Sequence, residues 1–217
     1  MIKRVFLFFT GALVFISFLL FSYLVAKDVF GQFDFDTTVR LQYKVSDSLS
    51  TFFSYFSLLG SGEVTTIVLL VLVFFPGQIW QKILFLPAYF AIFAVGLLGK
   101  MYMSHPGPPF MFYHYELGFH FPSTYVQTGN SYPSGHSART IFLSVILLML
   151  IIKSGKLTPL KLLLIGFIFT FDLIMLVSRV YLGEHWTTDV IGGTLLGASA
   201  GLLGSLFLKQ TITSSRR

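Results

Sequence analysis

Long apolar runs alternate with short polar segments along the chain. The first run, Val5 to Ala26, holds 22 residues without a charge and follows Lys3 and Arg4. A cleavable secretory leader has an apolar core of only about 7–15 residues. This run is longer and matches the ~20 residues that a helix needs to cross a bilayer. It is therefore predicted as a membrane span whose N-terminal side is cytoplasmic. Further spans are predicted over 58–75, 82–103, 134–152, 160–182 and 185–208. Pro76-Gly77 ends the second of the six, and Gln78 to Gln81 reads as a tight turn.

The polar segments differ in kind. Lys27 to Ser50 mixes acids and bases, and from Val45 onward Val45, Leu49, Phe52, Phe53 and Phe56 make one helical face. Such a face is expected to lie in the membrane interface. Ser104 to Tyr132 is the longest loop, with Pro106, Pro108, Pro109, three histidines and eight Phe or Tyr. It is expected to dip into the headgroups, as an anchor or as a lip that admits lipid. His105, His114 and His120 are read as interfacial, because their spacings of nine and six offer no helical pair for zinc. Gly192-Gly193, Gly197 and Gly201 in the last span predict close helix packing.

Composition fits this pattern. Only 11% of residues are charged, against about 25% in soluble domains. The fold class predicted is an all-α integral membrane bundle of six spans, residues 1–217 forming one membrane domain. The absence of cysteine excludes disulfides, a thiolate nucleophile and a cysteine zinc site. A net charge of +6 would suit nucleic acid, but its distribution points to membrane topology. With both termini cytoplasmic, the inner segments hold Lys3, Arg4, Lys82, Lys153, Lys156, Lys161, Lys209, Arg216 and Arg217, nine of the fifteen basic residues. Every histidine, and every acid except the intramembrane Asp172, falls at or near the outer face. The bias satisfies the positive-inside rule, and no nucleic-acid partner is expected.

That topology gathers chemistry at one face. Lys100, His136, Arg179, His185 and Asp189 come from four different spans and all lie near outer ends. His185 and Asp189 are four apart, so on a helix they share one face. A carboxylate there can hold one imidazole nitrogen protonated and leave the other free as base or nucleophile. The Arg179 guanidinium is a planar fork suited to phosphate oxygens. Pro133-Ser134-Gly135-His136 sets a turn before a helix whose free N–H groups point outward. With the Ser134 hydroxyl and the Gly135 N–H this makes an anion site, and His136 in its first turn can protonate a leaving oxygen.

At these residues the chain resembles the type 2 phosphatidic acid phosphatase superfamily, which includes bacterial phosphatidylglycerophosphate and undecaprenyl-diphosphate phosphatases. The family pattern is K-x6-R-P, then P-S-G-H, then S-R-x5-H-x3-D. The second is met by Pro133 to His136, and the third by Ser178, Arg179, His185 and Asp189. The resemblance implies that His185 attacks phosphorus to form a phosphohistidine and that Asp189 orients it. It implies that His136 protonates the leaving group and then activates water. Lys100, Ser134, Gly135 and Arg179 would hold the phosphate oxygens, with no metal and no cofactor. The substrate would be a membrane lipid phosphate met at the extracytoplasmic face.

The first motif departs from the pattern, since Gly107-Pro108 stands where the family has Arg-Pro. Arg139, three residues after His136, faces the same side about one turn deeper. It is expected to replace the missing guanidinium. Asp172 is expected to support the site from behind by pairing with Arg139 or Arg179, or by staying protonated, and Glu184 is read as a solvated loop acid. Two other functions fit the same residues. One is a lipid phosphotransferase that hands the phosphoryl group to another lipid, and the other is a scaffold that binds lipid phosphates without turnover. A transporter fits less well, because the charges cluster at one face rather than at the midplane.

Overall fold

The computed structural model describes residues 4–74, 79–119 and 129–208. Expectations that fall on Lys3, Pro76-Gly77, His120, Lys209, Arg216 and Arg217 lie outside the described residues. The helices are α1 (Arg4–Ala26), α2 (Gly31–Lys44), α3 (Ser50–Ser57), α4 (Gly62–Phe74), α5 (Ile79–Lys82), α6 (Phe85–Tyr102), α7 (Gly135–Lys153), α8 (Pro159–Tyr181) and α9 (Thr187–Gly204). Five of them, α1, α6, α7, α8 and α9 with its 3₁₀ extension to Phe207, are long and apolar enough to cross a bilayer.

The second predicted span is built differently from its reading as one run over 58–75. Asp47–Gly60 and Gly62–Phe74 meet at a bend of 47°. Alone, the 13 residues of α4 rise about 20 Å at 1.5 Å per residue, short of a ~30 Å hydrocarbon core. The break is at Ser61, whose backbone is extended. Of the turn expected over Gln78 to Gln81, Gln78 lies outside the described residues, and Ile79–Lys82 is a single helical turn leading into α6.

α9 is the most buried of the spans, and its glycines explain why. A Cβ at Gly193 would fall onto the Ser134 carbonyl, and one at Gly197 onto the Ala138 carbonyl. A Cβ at Gly201 would sit 2.8 Å from the Val145 Cβ. Bare backbone on this stripe lets α7 approach closely, as the glycine spacing predicted. On another side Leu203 of α9 fills the space above Gly11 of α1. The core between these helices is lined by Phe18, Leu69, Tyr89, Phe142, Ile146 and Leu196. Large apolar side chains on the outer surfaces of α1 and α8, such as Phe9, Leu20, Leu163 and Phe167, stay exposed. That arrangement suits a lipid-facing rim.

One helix lies outside the predicted elements. α2 falls in the mixed segment after the first span and buries Asp34 and Thr38. Gln42 on α2 donates to the carbonyls of Phe112 at 2.7 Å and Tyr181 at 2.8 Å. It thereby ties the aromatic loop to the end of α8. The described ends of that loop are joined to each other, since Asn130 donates to the Lys100 carbonyl at 3.0 Å and accepts from the His105 N–H at 3.1 Å.

Candidate active site

One end of the bundle collects the last turns of α6 and α8 and the first turns of α7 and α9. Ser134 is the N-cap of α7, and its hydroxyl accepts from the Ser137 N–H at 3.4 Å and the Ser137 hydroxyl at 3.0 Å. Its own N–H donates to the Asp189 carbonyl at 3.0 Å, which links the starts of α7 and α9. Gly135 and His136 follow in the first turn, each only partly covered.

The passage from α8 to α9 is a tight reversal. Gly183 takes a left-handed φ of +69°, and a Cβ there would run into the Phe112 carbonyl, so glycine serves both the turn and the close approach. The His185 N–H donates to the Arg179 carbonyl at 3.2 Å, which sets the imidazole beside the end of α8. Asp189, in the first turn of α9, accepts from the Trp186 N–H at 2.9 Å through Oδ2. The same oxygen lies 3.2 Å from His185 Nδ1. The buried carboxylate only accepts, so Nδ1 carries the proton and Nε2 keeps its lone pair. Burial holds His185 below the usual imidazole range, against the pull of Asp189, and the Arg179 and Lys100 charges push it further down. Burial and the nearby cations thus favour its neutral form.

Arg179 is 1% exposed and ion-pairs with Glu184. Glu184 is thus a partner of the site rather than the solvated loop acid expected. Among the described residues, Nε and Nη1 of Arg179 have no hydrogen-bond partner. Lys100 lies within the fields of Asp189, Arg139 and Arg179. His136 lies within those of Arg179, Arg139, His185 and Lys100.

Arg139 bends back toward the start of its own helix. A Cβ at Gly135 would meet its Nη1 at 2.7 Å, so the bare glycine makes room for the guanidinium. Nη2 donates to the Gly60 carbonyl at 3.1 Å, an acceptor freed by the break before α4. Phe93 lies under the group at 5.2 Å, and Nε is buried without a partner among the described residues. Asp172 reaches neither arginine as its hydrogen-bond partner. It accepts from the Ser144 hydroxyl at 2.6 Å inside the bundle. Gly107 sits above Ser131, with no side chain to offer.

Sequence reasoning missed two residues. His105, expected at the interface, is 8% exposed and its Nε2 lies 3.3 Å from Asp189 Oδ1. Asp34, on α2, accepts from the N–H and hydroxyl of Thr188 at 2.8 and 2.6 Å. Proximity to Lys100 is the one sequence signal for His105. Asp34 has none, because its partner is 154 residues away. His114 stays apart, with Asp47 at 3.8 Å and Tyr181 edge-on to its ring.

A family model described as the PAP2 superfamily matches residues 80–212, which include every one of these site residues except Asp34. The chain belongs to the PAP2 superfamily. A relative in Haemophilus influenzae, phosphatidylglycerophosphatase B, is 34% identical over 107 residues. That match covers 48% of this chain and 39% of the relative, so it spans about two fifths of that protein's length. The fold is similar to that of a transmembrane PAP2-type phosphatidylglycerolphosphate phosphatase from Bacillus subtilis, with a TM-score of 0.71 at 20% identity, covering 89% of this chain and 93% of the other. LpxE from Aquifex aeolicus aligns with a TM-score of 0.60 at 21% identity, over 78% of this chain and 93% of its own. The transmembrane relative and the apolar helices make this PAP2 chain a multi-pass membrane protein.

Proposed function

We propose that the protein is a lipid phosphatase that hydrolyses a phosphate monoester or diphosphate of a membrane lipid at the extracytoplasmic face. The observation that carries this reading is the His185–Asp189 contact at 3.2 Å set among Lys100, His136, Arg139 and Arg179. A neutral imidazole oriented by a carboxylate and surrounded by cations is suited to attack on an anionic phosphorus centre.

His185 Nε2 forms a bond to phosphorus as the bond from phosphorus to the lipid oxygen breaks. Protonated His136 gives its proton to that leaving oxygen. Water then attacks the phosphohistidine, His136 takes the water's proton, and His185 leaves as neutral imidazole with inorganic phosphate. Arg179, with two unpartnered buried nitrogens, Lys100, the Gly135 N–H and the Ser134 hydroxyl hold the non-bridging oxygens. Their positive charge does the neutralising that a metal does elsewhere. Arg139 supplies the guanidinium that the chain lacks at Gly107. Its contact with Gly135 and its place in the field of His136 support this role.

Phosphatidylglycerophosphate is the first substrate to test, on the likeness to phosphatidylglycerophosphatase B. The exposed Phe110 and Met111 in the short 3₁₀ turn after Pro109 would anchor the loop in the headgroups beside the lipid's path. The deciding experiment measures phosphate release by the purified full chain from phosphatidylglycerophosphate, phosphatidic acid, undecaprenyl diphosphate and a lipid A phosphate, with His185→Ala as control. Release from at least one that His185→Ala abolishes supports the reading. Transfer to an added lipid without free phosphate makes the protein a phosphotransferase, and binding without turnover makes it a scaffold.

A further inference from the structure

His105 sits against the site without a part in the reaction described. Its Nε2 lies 3.3 Å from Asp189 Oδ1, 3.3 Å from the Thr188 hydroxyl and 3.9 Å from Asp34 Oδ2. The Thr188 hydroxyl gives its proton to Asp34 at 2.6 Å, so toward His105 its oxygen can only accept. The carboxylates accept as well. One imidazole N–H therefore faces three acceptors, two of them carboxylates, and this favours the imidazolium form. Burial opposes that charge, but the close contact with Asp189 Oδ1 and the fields of Asp189, Asp34 and the more distant Asp28 outweigh it and lift His105 above the usual range. Tyr132 stands edge-on to the ring at 6.1 Å.

The same Asp189 faces His185 through its other oxygen, 3.2 Å from Nδ1. The charged or titratable groups facing His185 are Asp189, Arg179, Lys100 and His136. One carboxylate is thus held between two imidazoles, and the outer one is held in turn by α2 through Asp34 and Thr188.

We propose that His105 is a positioning residue that shares Asp189 with His185: as a cation it draws carboxylate charge away from His185, which keeps His185 neutral to lower pH, and the Asp34–Thr188 pair holds His105 in that state. The proposal rests on the reading of His185 as nucleophile. The chain then has two settings. While His105 is charged, Asp189 orients His185 without making it strongly basic. Once His105 loses its proton, the full carboxylate charge acts on His185 alone.

The test reads His185 directly. Full-length protein labelled with 15N-histidine in detergent micelles gives the titration midpoint of His185, assigned by its loss in His185→Gln. In His105→Gln, which keeps an N–H donor but not the charge, the midpoint is expected to rise by about 0.5–1 pH unit. Asp34→Asn should raise it less, and the double variant should not exceed His105→Gln alone. The acid limb of kcat/KM on phosphatidylglycerophosphate micelles should move by the same amount. That is a loss of about three- to tenfold at a pH below the limb, shrinking as pH rises. An unmoved His185 midpoint in folded His105→Gln overturns the proposal whatever the activity. If His105→Gln does not fold, an unmoved midpoint in Asp34→Asn overturns it instead. If the midpoint moves but the wild type releases phosphate from none of the lipids, the charge sharing stands and the phosphatase reading falls.

Discussion

Two buried cations at opposite ends of the bundle are treated differently. Lys153, in the last turn of α7, donates to the carbonyls of Ser205 at 2.9 Å and Leu208 at 2.8 Å. It closes the end of α9, where free carbonyls need donors. Arg179, at the other end, is 1% exposed and ion-pairs with Glu184, yet its Nε and Nη1 have no hydrogen-bond partner among the described residues. A buried donor left without an acceptor costs about 1–3 kcal/mol or more when charged. A fold tolerates that cost where a ligand supplies the acceptor. Both cations are buried, and what differs between them is the state of their hydrogen bonds. Arg139 stands between the two, with one bond to Gly60 and one orphan nitrogen.

This contrast can be broken by substitution. The largest effect belongs to the group that the cations surround. His185→Ala should lower kcat on a lipid phosphate by more than about 10³-fold while the protein remains folded. Arg179→Lys should follow, with a loss of about 10²–10³-fold in kcat/KM, because a point charge does not reproduce the fork. Recovery of most of the activity would place Arg179 with the structural cations. Arg139→Ala should lower kcat/KM by roughly 10-fold or more if its guanidinium meets phosphate. Unchanged turnover and affinity would leave Gly107 uncompensated. Lys153→Met should do the reverse of Arg179→Lys. It should cost about 1–3 kcal/mol of stability, read as a lower Tm in detergent, and change kcat by less than about twofold.

The pH profile sharpens the same picture. In the role proposed for it, His185 must be neutral to attack, and burial holds it below the usual imidazole range. The acid limb of kcat/KM should therefore lie below about pH 6.5. A limb above that value would show that Asp189 outweighs both burial and the nearby cations.

Much of the bundle was legible in the chain. A long uncharged run has no other low-energy place in a bilayer, because every backbone group must be paired inside its own helix. Glycine spacing in the last span was equally informative, since a Cβ at Gly193 or Gly197 would strike the backbone of α7. α2 was not legible, because its fourteen residues lack a regular apolar stripe and its buried positions are Asp34 and Thr38. The broken second span was hidden too. Hydropathy averages over Gly60-Ser61-Gly62, whereas the bend depends on what packs there, Met175 and Thr140 against Gly60.

The sequence by itself determined the helical membrane class, through its long apolar runs, and it pointed to the family through the motifs holding His136, Arg179, His185 and Asp189, which resemble the family's pattern. Only the tertiary structure decided which charges share a partner. Glu184 pairs with Arg179, Asp172 with Ser144, Asp34 with Thr188, and His105 meets Asp189. Glu184 and Arg179 are only five residues apart, but the turn that joins them is fixed by the close approach of Phe112 to Gly183. The other pairings bring together segments far apart in the chain, and no local pattern encodes them.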